Sequence, residues 1–108
     1  MATLSQDLKA CIDACNDCIT AANVCLAEHI GEEAMARCLT LCLDCTDLCA
    51  ACAQMMARDS DYVARICGIC ADLCSACADE CETFDSEACQ ACAEACRRCA
   101  ERCREMAA

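Results

Sequence analysis

Between residues 38 and 52 the chain reads CLTLCLDCTDLCAAC, with cysteines at 38, 42, 45, 49 and 52, so that the gaps alternate four and three. That alternation keeps side chains on one face of an α-helix, in the stripe that a helix bundle ordinarily fills with leucine. The same beat recurs along the chain in four sets: Cys11, Cys15, Cys18, Cys25; Cys38, Cys42, Cys45, Cys49, Cys52; Cys67, Cys70, Cys74, Cys77, Cys81; and Cys89, Cys92, Cys96, Cys99, Cys103. In the first set the missing beat falls at Ala22. Each set predicts one helix, and each helix has a thiol face to bury.

At 108 residues the chain has room for a single domain, 1–108. It contains no Pro and two Gly, while helix-favouring residues are plentiful, so the fold class is all-α. Thr3 followed by Gln6 reads as a capping box, Gly31 as the stop of the first helix, Ser60 or Asp61 as the cap of the third, and Asp85 or Ser86 as the cap of the fourth. The helices are expected near 4–29, 32–57, 61–82 and 86–106. Short connections favour antiparallel neighbours, hence an up-down-up-down four-helix bundle with a Cys-lined core.

Antiparallel pairing predicts layers along one axis: Cys11/Cys52/Cys67/Cys103, Cys15/Cys49/Cys70/Cys99, Cys18/Cys45/Cys74/Cys96, Ala22/Cys42/Cys77/Cys92 and Cys25/Cys38/Cys81/Cys89. Beyond the thiols the stripe continues into Leu8, Met56, Val63 and Met106 at one end, with Leu4 further out. At the other it continues into His29, Met35, Phe84 and Asp85. The first end is expected to be plugged and the second to be a partly polar mouth.

A net charge of -11 argues against nucleic-acid binding, which needs a basic footprint. Arg97, Arg98, Arg102 and Arg104 read as a solvated face suited to the negative end of the last helix. The amino terminus, MATLSQDLKACIDAC, shows neither a basic region ahead of an apolar stretch nor a twin-arginine signal, so a cytoplasmic location with reduced thiols is expected. No run is expected to span a membrane, because acidic or basic residues interrupt every helix.

Nineteen thiols in such a core need a chemical reason. Cys packs as a small hydrophobe, yet a buried Leu contributes about 1.5–3 kcal/mol, and thiols alone would fill the axis poorly. Disulfides within one helix would be strained, since residues three or four apart hold their Cβ atoms about 5–6 Å apart against the roughly 3.5–4.5 Å that a bridge needs. Metal fits better. With metal–sulfur bonds near ~2.3 Å, an ion held linearly by two thiolates spans about 4–5 Å between sulfurs, within reach of C-x-x-C and C-x-x-x-C pairs by rotamer choice. Charge favours Cu(I): one thiolate per monovalent ion leaves a dry core neutral, whereas several tetrahedral Zn²⁺ thiolate sites would bury uncompensated negative charge. Zn²⁺ also wants four converging sulfurs, and the Ala22 layer supplies three. Buffering of Zn²⁺ or Cd²⁺ and thiol redox sensing remain as alternatives. No enzyme is expected, because the single His lies at one end and the stripes carry no Lys or Arg to activate a thiol.

The stretches CQACAEACRRCAERCREMAA (89–108) and CGICADLCSACADEC (67–81) resemble the bacterial copper storage proteins, and the resemblance covers the whole chain. In lacking an export leader the chain is similar to the cytosolic branch. The resemblance implies Cu(I) as cargo, many ions bound by Cys pairs, a homotetramer, and a mouth furnished with His or Met, a role that maps onto His29 and Met35. The chain departs from the family pattern in its third connection, where ETFDSEA (82–88) stands in place of the usual His-rich loop. No nucleic acid or membrane partner is implied, and a copper donor or acceptor protein is left unidentified.

Second apolar rows flank the thiols: Ile12, Ile19 and Leu26; Leu41, Leu48 and Met55; Ile66 and Leu73. They are expected either to shield the sparse core or to pair subunits. Apart from Gln90, the fourth helix carries only Ala and charged residues off its stripe, so contacts between subunits are expected to use the first three.

Overall fold

The computed structural model describes residues 4–108. Four helices, α1 (Gln6–His29), α2 (Ala36–Ala57), α3 (Val63–Cys81) and α4 (Glu87–Ala107), account for most of them, and a 3₁₀ turn, Glu33–Met35, precedes α2. α1 packs on α2 and α4, and α3 packs on the same two. The bundle is 46 Å long and 22 by 17 Å across, the proportions of helices lying side by side.

Antiparallel register is written in the sulfur contacts. On α1 and α4, Cys11 meets Cys103, Cys15 meets Cys99, Cys18 meets Cys96 and Cys25 meets Cys89, so one helix ascends as the other descends. On α2 and α3, Cys52 meets Cys67, Cys49 meets Cys70, Cys42 meets Cys77 and Cys38 meets Cys81. Alternation of three and four residues keeps each stripe facing inward over about four turns, which is why both ladders hold register from end to end.

The turns explain most differences from the expected boundaries. The cap of α1 is Ser5, whose hydroxyl accepts from Leu8 N at 3.1 Å; Thr3, expected in that role, lies outside the described residues. Residues 29–32 form a type II turn, with Ile30 at φ -55° and ψ 132°, Gly31 at φ +91°, and Glu32 N donating to the His29 carbonyl at 3.0 Å. That turn and the 3₁₀ segment delay α2 to Ala36. Between α2 and α3 the chain reverses through a Schellman-type cap: Ser60 N reaches Met55 O and Asp59 N reaches Met56 O, each at 3.0 Å, with Asp59 left-handed at φ 50°. Ser60 accepts from Tyr62 N at 3.1 Å inside this turn, so it organises the approach to α3 instead of capping it, and Asp61 caps nothing. Ser86 does cap α4, accepting from Cys89 N at 3.1 Å.

α3 and α4 approach most closely, because small residues line the seam: Gly68, Ala71 and Ala78 on one side, Ala93, Ala100 and Ala107 on the other. Arg97 spans it, bonding Asp79 at 2.8 Å and Glu82 at 2.9 Å, and Arg104 reaches Ser75 at 3.2 Å. All four terminal arginines are exposed, forming the expected solvated face, and two of them also reach across that face from α4 to partners on and just beyond α3. Ile12, Ile19, Leu26, Leu41, Leu48, Ile66 and Leu73 lie half-buried against the thiol core and shield it.

The segment Glu33–Ala57 reaches a mean hydropathy of 1.3, long and apolar enough by length and composition to cross a membrane, contrary to expectation. Much of that hydropathy comes from its five cysteines, each of which is fully buried against the other helices of the bundle.

Candidate metal centre

Every one of the nineteen cysteines is a free thiol with no solvent-exposed surface. They form one column, not a set of separate sites. Sulfur–sulfur distances across helices run from 3.4 Å for Cys18–Cys96 and Cys38–Cys81 to 3.9 Å for Cys42–Cys77 and Cys42–Cys92. Within helices, Cys70–Cys74, Cys77–Cys81, Cys92–Cys96 and Cys99–Cys103 each close to 3.9 Å. All four are C-x-x-x-C pairs on α3 or α4; the C-x-x-C pairs that spacing also allowed are not in contact. Cys45 instead approaches the Leu73 carbonyl oxygen at 4.0 Å.

The expected layers are present but staggered. Cys15, Cys49, Cys70 and Cys99 converge with all sulfurs within 4.8 Å of one another, the layer read from the sequence. Other groups mix neighbouring layers: Cys15 with Cys52, Cys70 and Cys103, and Cys18 with Cys49, Cys74 and Cys99. At the Ala22 level, Cys81 rises from the adjoining layer to join Cys42, Cys77 and Cys92, so four sulfurs converge there as well. The objection to Zn²⁺ on grounds of a three-sulfur layer is therefore corrected. The charge argument stands, since among the described residues the core holds no buried polar or charged side chain that would balance a dianionic site.

Burial pushes the Cys25 and Cys38 thiols above their ordinary value, because the thiolate there loses its solvent. Deeper in, hydrogen bonding divides the sulfurs. Cys99 is drawn down to about 6 by hydrogen bonds from Cys103 and Cys15, and Cys70 is likewise lowered by Cys103 and Cys15. Cys74 is raised by its bonds to Cys18 and Cys45. A sulfur that accepts from several neighbours ionises first, and its donors then hold their protons more firmly. A soft cation enters such a column by displacing thiol protons one at a time.

Beyond the last sulfurs the two ends differ. At one, Leu8 and Met106 continue the α1–α4 ladder and Met56 and Val63 the α2–α3 ladder, all packed on the core, with Met56 fully buried; this is the expected plug. At the other, Met35 is 4% exposed and Phe84 packs half-buried on the core, while Asp85 faces solvent. His29 lies one turn beyond Cys25, its side chain 14% exposed. Its Nδ1 is 2.6 Å from Glu32 Oε2 and its Nε2 is 2.8 Å from Ser86 Oγ, so neither ring nitrogen is free. Sequence reasoning placed His29 and Met35 at the mouth but missed Glu32 and Ser86. The signal for Glu32 was its place three residues after His29 across a glycine turn.

A sequence profile of the Csp copper storage protein family matches residues 1–108. The apo form of copper storage protein 3 from Bacillus subtilis is 46% identical and superposes with a TM-score of 0.88, covering 93% of this chain and 98% of that one. The Cu(I)-bound copper storage protein BsCsp3 is 44% identical with a TM-score of 0.90, covering 95% and 100% respectively. A cytosolic copper storage protein from Streptomyces lividans, with five coppers, is 32% identical with a TM-score of 0.88, covering 94% and 92%. No curated protein sequence matches the chain.

Proposed function

The chain belongs to the copper storage protein family, and from that premise we propose that it holds Cu(I) in bulk along the thiol column, at about one ion per thiol, with Cys11 to Cys103 as ligands and His29 and Met35 serving the mouth. The observation that carries this reading is a stack of nineteen buried free thiols, all but Cys45 within 3.4–3.9 Å of another sulfur, with no charged side chain among them in the described residues. Each ion that binds replaces a proton, R–SH + Cu⁺ giving R–S–Cu + H⁺, so the charge of the core is unchanged however many ions enter. Sulfurs now 3.4–3.9 Å apart across helices open to about 4–5 Å as an ion is held linearly between them, a change that thiol rotamers can absorb.

The cytosol is the compartment in which such a column stays reduced, and the Streptomyces relative is described as cytosolic. Storage needs no catalytic step, and the chain is read as a non-enzyme. Assembly into a homotetramer is supported by the distribution of exposed apolar side chains: Val24, Leu43 and Ile69 stand 49%, 52% and 62% exposed on the first three helices, while α4 presents none.

Anaerobic titration of reduced apo protein with Cu(I) against a competing chelator, repeated with Zn²⁺, tests the reading. A capacity of about one Cu(I) per thiol, well above that for zinc, is expected. The four-sulfur groups give a zinc or cadmium buffer its own footing, and about four or five Zn²⁺ per chain, bound more tightly than Cu(I), would establish that reading instead.

A further inference from the structure

Every thiol is shut away from solvent, so an ion reaches the column only where the bundle opens. The two ends are closed by different chemistry. The α1–α4 ladder runs through Cys11–Cys103, Cys15–Cys99, Cys18–Cys96 and Cys25–Cys89, and its next rung towards the mouth is His29–Ser86, a hydrogen bond of 2.8 Å between part-buried groups. At the far end the corresponding ladder positions are apolar, Leu8 and Met106, each packed on the core. Parting an apolar rung exposes hydrocarbon to water, whereas parting a polar one lets water or a metal take the vacated hydrogen bond.

The polar rung is also directional. Glu32 is held beneath His29 by the type II turn at Gly31, and its carboxylate only accepts, so Nδ1 carries the proton of their hydrogen bond. Nε2 is then left with its lone pair towards Ser86, whose hydroxyl donates to it while accepting from Cys89 N at 3.1 Å. A carboxylate on one ring nitrogen is the arrangement that orients a histidine for metal at the other.

We propose that the His29–Ser86 hydrogen bond is a latch over the mouth of the column, with Glu32 and Ser86 as positioning residues that hold Nε2 ready for exchange of the Ser86 hydroxyl for an incoming soft cation. Its opening uncovers Cys25, Cys38, Cys81 and Cys89 first. The copper arm of this proposal rests on the storage reading; the latch itself is testable without metal.

His29 is the single histidine of the chain, so ¹⁵N NMR of the apo protein reports its ring without ambiguity. The Nδ1–H tautomer is expected, relaxing to a mixture in Glu32→Ala; an Nε2–H ring in the unaltered protein overturns the proposal. Alkylation of the reduced apo protein, mapped by peptide mass, is expected to modify Cys25, Cys38, Cys81 and Cys89 ahead of Cys11, Cys52, Cys67 and Cys103, and the reverse order overturns it. Ser86→Gly keeps most of the helix cap while deleting the hydroxyl. In that variant the mouth thiols should react about fivefold faster, the factor that one net hydrogen bond is worth in an opening equilibrium. An unchanged rate, or an equal gain at all nineteen thiols, counts against a latch. Cu(I) transfer from a bicinchoninate complex should quicken by a similar factor. Failure of that arm alone, with the metal-free results as expected, would count against the storage reading and leave the latch standing.

Discussion

The sulfurs of Cys18 and Cys96 lie 3.4 Å apart between α1 and α4, with the Cys92–Cys96 contact at 3.9 Å continuing the column along α4. Cys96 is thus a junction between a rung and a run. Replacing it with Ala removes one ligand and leaves a cavity smaller than a methylene pair. Cys96→Ala is expected to lower the Cu(I) capacity by about one ion and to destabilise the apo protein by about 1 kcal/mol, measured by anaerobic titration and by urea unfolding in reductant.

Ala22 occupies the one position where α1 contributes no sulfur, opposite Cys42, Cys77 and Cys92, and it is fully buried. Ala22→Cys adds a ligand on the stripe at the cost of crowding a packed layer. The variant should bind about one more Cu(I) per chain than the unaltered protein, while its apo stability falls by about 1–2 kcal/mol. Capacity equal to the parent's would mean that the column does not use this level.

Asp59 holds the left-handed position of the α2 cap at φ 50°, which costs a residue with a Cβ about 1 kcal/mol or more. Asp59→Gly relieves that strain and is expected to stabilise the apo protein by about 0.5–1 kcal/mol once the greater freedom of the unfolded chain is deducted, read as a higher urea midpoint. Gly31 sits at φ +91°, so Gly31→Ala should have the opposite sign.

Cys25 and Cys38 are raised by burial and stay protonated at neutral pH, so an ion binding them must displace their protons. Lowering the pH supplies the competitor, and copper affinity therefore falls as pH falls, about tenfold per pH unit for each proton displaced. The Cys25→Ala, Cys38→Ala double variant should release about two fewer protons per chain at copper saturation, read in a pH-stat under anaerobic conditions. Equal proton release from variant and parent would show that these two thiols are not displaced.

Much of the site was legible beforehand because a thiol stripe and a helix period are the same information. The pairing of Cys15 with Cys99 and of Cys49 with Cys70 follows from counting inward from antiparallel ends, and the molecule has both. Ser86 was legible as a cap for a similar reason, since N-caps depend on neighbours in sequence. Ser60 was misplaced because its turn is organised by bonds back to Met55 and Met56, which local composition does not encode. The partnership of His29 with Ser86 links residues 57 positions apart and depends on how α1 and α4 end at the same height.

The sequence by itself determined that four helices would turn thiols inward, because a spacing of three and four leaves an α-helix no other face on which to place them. It also determined a core without charge, since no basic or acidic residue stands on the thiol stripes. Tertiary structure alone decided how the layers stagger, bringing Cys81 to the level of Ala22, and which groups close each end. The reason is geometric: periodicity specifies the direction in which a side chain points, whereas the relative height of neighbouring helices is set by caps, turns and close packing along seams such as that between α3 and α4.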